Sequence, residues 1–285
     1  MHESIATTKP DSVGDLQGAA FARYYDLDVA DERDDIDTYV ALASAVDGPI
    51  LELACGTGRV CIPLAEAGHR VVGVDRDIYT LERARAAWER LTRDRATAIA
   101  GHLEVVHGDI TDIRLGQRFD LVILAFNSLL LLAGDAHRAA ALTTIRDHLS
   151  ADGRAVLEIW QPSAEDLELY DGRVLHDWTK IDPETGDRVT KSTIATYDDV
   201  TRRAGIRTIY DVEPPGSPAY RLERIDEVAF VSREGLLAEM EATGLQVQAQ
   251  LGTDSTSSSA ETYSEIDRLT VVAAPIGASV PHQSY

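Results

Sequence analysis

Residues 50–60 (ILELACGTGRV) combine an acid and two glycines at a spacing that suits nucleotide binding. Glu52 ends a hydrophobic run, and Gly56 and Gly58 follow it one residue apart. A glycine turn between a strand and a helix leaves backbone N–H groups free, and the helix N-terminus adds partial positive charge. The motif therefore predicts a cradle for a nucleotide-like ligand without identifying that ligand.

The residues around the turn separate two ligand classes. The dinucleotide fingerprint G-x-G-x-x-G needs a third glycine, and Cys61 occupies that position here. The Glu52 carboxylate would repel a pyrophosphate but suits the cationic amino end of an amino-acid-like ligand. A nucleoside joined to an amino acid is therefore favoured, and a nicotinamide-dependent oxidoreductase is the alternative.

The first half of the chain alternates between apolar runs and helical patterns. Short runs rich in Val, Ile and Leu predict buried strands. They are Pro49–Leu53, Arg70–Val74, Leu103–His107, Phe119–Leu124 and Ala155–Trp160. The predicted helices between them are Gly58–Ala67, Ile78 to about Arg95, and Asp135–Leu149. This alternation predicts an α/β fold with a doubly wound parallel sheet.

The pattern changes after Trp160 to Thr- and Val-bearing runs separated by turn signals, which predict antiparallel strands. These strands are Val189–Tyr197, Ile206–Val212 and Tyr220–Phe230, followed by a helix at Ser232–Thr243 and strands at Leu245–Leu251 and Arg268–Ala273. We therefore expect an α/β core at 19–160 and 231–274. An antiparallel insertion at 161–230 would cover the active site, and flexible tails would occupy 1–18 and 275–285.

Three motifs fall in order at the predicted strand ends: Glu52-Leu-Ala-Cys-Gly-Thr-Gly-Arg, Val72-Gly-Val-Asp75 and Gly108-Asp109-Ile110. This series resembles that of class I S-adenosylmethionine-dependent methyltransferases. The resemblance implies a Rossmann-like sheet of seven strands with the last antiparallel. It also implies S-adenosylmethionine as cofactor, S-adenosylhomocysteine as product, and a small-molecule acceptor that is methylated on N, O or C. A protein that binds the cofactor without methylating is a further alternative.

The resemblance assigns roles to residues at the strand ends. Asp75 would accept hydrogen bonds from the ribose hydroxyls, and Asp109 would accept one from the adenine amino group beside the Ile110 N–H. The other residues expected to bind the cofactor are Tyr25, Glu52, Ala54, Gly56, Gly58, Arg76 and Ala125.

The segment Phe21-Ala-Arg-Tyr-Tyr-Asp26 is similar to one that closes over the cofactor in small-molecule N-methyltransferases, including those acting on amino sugars. Tyr25 matches its tyrosine, although it could instead pack an entry helix. The amino-sugar enzymes carry a histidine after the fourth strand, where this chain has Phe126–Leu132, so the acceptor stays open. The catalytic candidates are Tyr25, Asn127 and His176. The substrate-binding candidates are Phe126, Asn127, Trp160, His176 and Trp178, and the insertion's aromatic residues could equally form its own core.

Charge and composition limit the partners and the location. The net charge of −21 over 285 residues disfavours nucleic acid and acidic membranes. The eight histidines are scattered, so no metal site is expected. The chain lacks an apolar run of membrane-spanning length and a signal-peptide core, which predicts a cytoplasmic protein. The sequence does not predict an oligomeric state.

Overall fold

Two β-sheets organise the chain, which we describe from a computed structural model over residues 13–30, 35–94, 100–132, 134–252 and 268–278. The elements before the insertion are α1 (Val13–Val29), α2 (Ile36–Ala43), β1 (Ile50–Leu53), α3 (Cys61–Glu66), β2 (Arg70–Asp75), α4 (Ile78–Asp94), β3 (His102–His107), β4 (Phe119–Leu124), a 3-10 helix (Ser128–Leu131), α5 (Asp135–His148) and β5 (Leu149–Trp160). The remaining elements are α6 (Ala164–Glu168), β6 (Asp171–Ile181), β7 (Arg188–Asp198), β8 (Arg203–Glu213), β9 (Tyr220–Ala229), α7 (Arg233–Ala242), β10 (Leu245–Gly252) and β11 (Arg268–Pro275).

The larger sheet has seven strands in the order β10-β11-β5-β4-β1-β2-β3. Strands β1 to β5 run parallel, and β11 pairs antiparallel with both β5 and β10. One face of the sheet packs on α5 and α7, and the other packs on α2, α3 and α4. The predicted doubly wound α/β fold with an antiparallel last strand is confirmed.

The order of the strands positions the site. β1 lies between β2 and β4 at the centre of the sheet, so the chain leaves β1 in one direction and β4 in the other. Ligands bind outside the carboxyl ends of the strands at such a switch point. All four residues of β1 are buried, as expected for a central parallel strand.

The insertion forms a separate antiparallel sheet in the order β6-β7-β8-β9. Its inner face packs on α1 through a small cluster that includes Tyr24, Tyr210 and Leu222. Near the core end, Val228 and Phe230 join the main hydrophobic cluster. The insertion therefore contacts both the first helix and the α/β core.

Several element boundaries differ from the sequence-based expectations. Residues 13–18 belong to α1 rather than to a tail, and Pro275 ends β11. Helix α2 and strand β6 were not predicted. β6 is an edge strand whose residues are mostly exposed, so it lacks the apolar alternation that marks a half-buried strand. Residues 1–12 and 279–285, which were expected to be tails, lie outside the described residues.

Candidate cofactor and acceptor site

A cavity of about 410 Å³ opens at the carboxyl ends of β1, β2 and β4, between the core and the insertion. Ten of the residues predicted for the site line it: Tyr25, Ala54, Gly56, Asp75, Arg76, Asp109, Ile110, Phe126, Asn127 and Trp160. The structure therefore brings the three sequence motifs and the α1 tyrosine to one place.

Asp75 is fixed by the glycine turn at the floor of this cavity. Its Oδ2 accepts a hydrogen bond from the Gly56 N–H at 2.8 Å, and its Oδ1 accepts one from the Asp77 N–H at 2.9 Å. Burial raises the pKa of Asp75, and these two N–H groups oppose that shift. Each carboxylate oxygen keeps a second lone pair, so the group can still accept hydrogen bonds from a pair of hydroxyls.

Backbone strain is concentrated around the cavity. Ala54, Phe126 and Asn127 have φ values of 57°, 54° and 63°, in the left-handed region that side chains other than glycine rarely adopt. The Asn127 side-chain oxygen accepts a hydrogen bond from the Trp160 N–H, which ties the end of β4 to the end of β5. Such conformations persist where the surrounding structure imposes them, and they cluster at functional sites.

Glu52 is buried below the turn, with 3% of its surface exposed. Its Oε2 has no hydrogen-bond partner within the described part of the chain. Burial raises the pKa of Glu52 to about 8, and hydrogen bonding with Cys61 opposes the shift. A buried carboxylate with an unsatisfied oxygen is costly unless a cation or an N–H donor meets it. An amino group is therefore a suitable ligand group here.

Tyr25 extends from α1 over the glycine turn. Its Cε1 lies 3.8 Å from the position that a Cβ on Gly56 would take, so the ring and the turn are in contact. Burial raises the pKa of Tyr25 to about 12, so the hydroxyl stays protonated at neutral pH. Tyr25 can thus orient a ligand through a hydrogen bond, but it is not a base.

Asp109 also lines the cavity, two residues after the carboxyl end of β3. Its Oδ1 accepts hydrogen bonds from the Thr111 N–H at 2.8 Å and from the Thr111 hydroxyl at 2.7 Å. These bonds lower the pKa of Asp109, so the carboxylate is ionised at neutral pH. The Ile110 backbone lies beside it in the cavity wall.

Three cofactor candidates do not line the cavity. Glu52 and Ala125 are buried behind it. Gly58 faces the other side of the turn, where an added Cβ would lie 3.0 Å from Ile62 and 3.3 Å from Ala84. Its φ of 87° and this close packing require glycine. Gly58 therefore shapes the turn rather than the cavity surface.

The structure corrects the placement of His176 and Trp178, which were expected to contact the substrate. Both lie on β6, whereas the cavity is lined from β8 and β9 at the other side of the sheet. His176 is exposed and hydrogen-bonds the Thr179 hydroxyl at 3.1 Å. The Trp178 indole donates to Asp28 of α1 at 2.8 Å. Neither residue reaches the cavity.

The acceptor end of the cavity contains residues that the sequence reasoning missed. Four alternate residues of the β9 segment face it on one side: Arg224, Asp226, Val228 and Phe230. A period of two is expected for one face of a strand, so this alternation was a usable signal. Asp226 pairs across the sheet with Ile206 of β8, which also lines the cavity. Phe21, Leu130, Leu131 and Leu132 complete an apolar wall.

Two polar groups stand out in that wall. Asp226 Oδ2 accepts a hydrogen bond from Arg224 Nε at 2.7 Å, and the Asp226 side chain is 29% exposed. The Trp160 indole N–H is buried and has no partner among the residues that the structure describes. The apolar wall thus offers a ligand one carboxylate and one free donor.

A larger groove of about 600 Å³ lies on the other side of the glycine turn, between α1, α3 and α4. Three of its charged residues pair with one another: Arg83 contacts Asp26 at 2.5 Å and Glu184 at 2.6 Å. The strained turn, Asp75 and Asp109 all face the smaller cavity instead. We therefore assign the chemistry to the smaller cavity.

The described residues contain neither a metal-ligand cluster nor a membrane-spanning helix. They contain no group of three or more His, Cys, Asp or Glu side chains arranged to hold a metal ion. None of the helices within these ranges has the length and apolar character needed to cross a membrane.

Comparison with known proteins supports the class to which the fold and site point. Residues 50–153 match the model of a methyltransferase domain. A solved S-adenosylmethionine-dependent methyltransferase from Clostridium acetobutylicum superposes with a TM-score of 0.68 at 16% identity, covering 90% of this chain and 98% of that chain. The predicted resemblance to S-adenosylmethionine-dependent methyltransferases is confirmed for residues 50–153 by the domain match, and the superposition confirms the shared fold.

Two curated relatives are more similar in sequence. The chain is 34% identical over 126 residues to a cypemycin N-terminal methyltransferase from a Streptomyces species, over 44% of this chain and 47% of the relative. It is 33% identical over 167 residues to a dTDP-3-amino-3,6-dideoxy-alpha-D-glucopyranose N,N-dimethyltransferase from Streptomyces fradiae, over 56% of this chain and 60% of that enzyme. The matches thus span about half to three-fifths of these relatives.

Proposed function

We propose that the protein transfers a methyl group from S-adenosylmethionine to an amine of a small molecule. The observation that carries this proposal is the continuous cavity. One end is lined by Asp75, with the buried, unsatisfied Glu52 behind its wall, and the other is an apolar wall that carries Asp226. The matched methyltransferase domain contains the strands whose carboxyl ends form the core end of the cavity.

The residues at the core end fit S-adenosylmethionine group by group. Asp75 would accept from the ribose hydroxyls, and Asp109 with the Ile110 N–H would hold the adenine. Glu52 would meet the cationic amino end, whose charge would offset the cost of burying an ionised acid. Ala54 and Gly56 would let the backbone approach the ligand, with Arg76 at the cavity edge.

An amine acceptor is supported by two independent observations. One curated relative is named as a cypemycin N-terminal methyltransferase, and the other is named as the N,N-dimethyltransferase of an amino sugar. In this chain, Asp226 supplies a carboxylate, paired with Arg224, beside the apolar residues of the wall. A carboxylate attracts an ammonium group and stabilises positive charge that appears on nitrogen.

S-adenosylmethionine, when bound, supplies an electrophilic methyl group on a sulfonium centre. The chain's own contribution is alignment, which can supply about 7–11 kcal/mol of the barrier. Tyr25 and Asn127 would orient the reacting groups, while Phe126 and Trp160 would exclude water from them. Asp226 would position the acceptor nitrogen and take up its proton, either directly or through water.

The proposal is tested by direct binding and by product mass. We expect calorimetry to detect binding of S-adenosylmethionine and no binding of NAD, which would separate a methyltransferase from an oxidoreductase on a similar fold. Incubation with amine panels, including peptides and amino sugars, should give products heavier by one CH₂ group. Binding of S-adenosylmethionine without any methylated product across amine, hydroxyl and carbon acceptors would favour a non-methylating protein.

A variant of Asp226 tests the nature of the acceptor. Asp226→Asn should lower kcat/KM for the amine by about tenfold or more, the loss of roughly 1.4 kcal/mol of transition-state contact. Its affinity for S-adenosylmethionine should stay within about twofold. Glu227→Gln, on the adjacent and outward-facing position of β9, is the matched control. Equal activity of the two variants would refute the role of Asp226.

A further inference from the structure

Helix α1 presents one face to both the cofactor cavity and the insertion. Phe21 and Tyr25, four residues apart, line the cofactor cavity. Tyr24 and Asp28, also four residues apart, face the insertion. Residues at this spacing lie on one side of a helix. The four residues together follow the i, i+3, i+4, i+7 spacing of a single helix face, so the insertion holds the same face that carries the cavity tyrosine.

Asp28 is the main point of attachment. Its Oδ1 accepts a hydrogen bond from the Trp178 indole at 2.8 Å, and its Oδ2 accepts one from the Lys191 ammonium at 2.6 Å. The Lys180 ammonium donates to the Leu27 carbonyl at 2.7 Å, in the last turn of the same helix. Cations at a helix C-terminus also interact favourably with its dipole.

The use of lysine at these positions is unusual for this chain. Only three of its 27 basic residues are lysines, and two of those three, Lys180 and Lys191, meet the last turn of α1. Lysine reaches a single oxygen as a point charge, whereas arginine favours planar, two-pronged contacts. Lys180 and Lys191 each donate to a single oxygen atom of α1.

Aromatic packing completes the attachment. The Trp178 ring lies 6.1 Å from the Tyr210 ring, and Tyr24 lies 5.2 Å from Tyr210 on the other side. The Tyr24 hydroxyl is 3.0 Å from the Tyr220 hydroxyl. With Lys191 of β7, all four strands of the insertion thus contact this face of α1.

We infer that Asp28, Trp178 and Lys191 are positioning residues that hold α1, and through it Tyr25, against the bound cofactor. None of the three lines the cavity, so they act on the cofactor through the helix. Asp28 and Tyr25 are three residues apart, and a helix that tilts at Asp28 also displaces Tyr25. This inference rests on the proposed use of S-adenosylmethionine.

Trp178→Phe is the first test, because it keeps an aromatic ring against Tyr210 and removes the indole N–H that donates to Asp28, together with part of the indole ring. We expect the Kd of Trp178→Phe for S-adenosylmethionine, measured by calorimetry without acceptor, to be about five- to tenfold higher than that of the wild-type protein. Lys191→Met should have a similar effect. Acceptor KM and kcat at saturating cofactor should change less than twofold.

Arg188→Gln is the matched control. Arg188 lies three residues from Lys191 on β7, is half exposed, and bonds Glu213 of β8 at 2.9 Å without touching α1. Its removal also breaks an ion pair of the insertion, so a general weakening of that sheet would appear in this variant too. We expect an unchanged Kd.

A double-mutant cycle with Tyr25 separates positioning from general stability. In a Tyr25→Ala background, Trp178→Phe should change the Kd less than twofold. A full five- to tenfold effect in that background, or an unchanged Kd for Trp178→Phe alone, would overturn the inference. Asp28→Asn serves as the second variant if Trp178→Phe does not fold. Failure of the wild-type protein to bind S-adenosylmethionine would instead overturn the proposed function, and this inference with it.

Discussion

Replacement of Glu52 by glutamine should stabilise the ligand-free protein and weaken cofactor binding at the same time. Glu52 is buried, and burial raises its pKa from 4.5 to about 8. The folded state therefore holds a proton that the unfolded state loses above pH 4.5, and stability falls as the pH rises towards 8. Glutamine resembles the protonated acid and has no charge to bury, so the stability of the Glu52→Gln variant should not fall in this way as the pH rises.

The magnitude follows from the two pKa values. Each unit of difference corresponds to 1.36 kcal/mol, so the loss from Glu52 approaches about 3 kcal/mol at pH 7 and about 5 kcal/mol at pH 8 or above. For a chain of this size, about 3 kcal/mol corresponds to a difference in melting temperature of roughly 6–12 °C. Thermal unfolding of both proteins from pH 5 to pH 8 should show matching melting temperatures at pH 5 and a growing gap above it.

Binding of S-adenosylmethionine should favour glutamate over glutamine at position 52. The cationic amino group of S-adenosylmethionine favours ionised Glu52, so we expect the affinity of Glu52→Gln to fall by at least about tenfold, the scale of one hydrogen bond to a charged group. Binding to the wild-type protein at pH 7 should release close to one proton, which calorimetry in buffers of different ionisation enthalpy measures. If the melting temperatures of the two proteins change with pH in parallel, Glu52 is not a buried neutral acid. If Glu52→Gln binds S-adenosylmethionine as tightly as the wild-type protein does, Glu52 does not contact the amino group of the cofactor.

Three further variants test the floor of the cavity and the core around it. Asp75→Ala should weaken S-adenosylmethionine binding by roughly 1.5–3 kcal/mol in a folded protein, and unchanged affinity by calorimetry would remove Asp75 from the site. Arg138→Met should lower the free energy of unfolding by about 2–3 kcal/mol, because Arg138 is buried and ion-paired at 2.7 Å with a glutamate of α7, yet leave cofactor affinity unchanged. Gly73→Ala should cost about 1–3 kcal/mol in denaturant unfolding, since its Cβ would lie 2.8 Å from Cys55 Sγ and 2.9 Å from Cys61 Sγ. A second change, Cys61→Ala, should recover part of that loss.

The cofactor end of the site was predictable because its residues follow directly after buried strands. The carboxyl ends of parallel strands meet at one edge, so Gly56, Asp75 and Asp109 had to converge once the strands were recognised. The sequence could not show that Gly58 faces away from the cavity, because that depends on how the turn packs against α4. Nor could it show which of Tyr24 and Tyr25 faces the cavity, although Tyr25 was chosen from the resemblance.

The acceptor end was not predictable to the same degree, because an antiparallel insertion can expose either face of each strand. Trp178 and His176 were chosen for their residue types, but β6 lies at the far edge of the sheet. The order of the strands and the register that sets Ile206 opposite Asp226 decide which side chains meet the cavity. A shift of one residue would turn Asp226 outward and bring Glu227 inward.

The charge at that end links the fold of the insertion to the type of acceptor. Methylation of an amine leaves positive charge on the acceptor nitrogen, whereas methylation of a hydroxyl gives a neutral product and needs a base to remove the proton. Asp226 suits the first case, because a carboxylate beside the nitrogen becomes more favourable as the charge appears. The hydrogen bond from Arg224 on the same face partly offsets the negative charge of Asp226 and holds its carboxylate in place. The register of two strands in the insertion thus determines which acceptor chemistry the cavity favours.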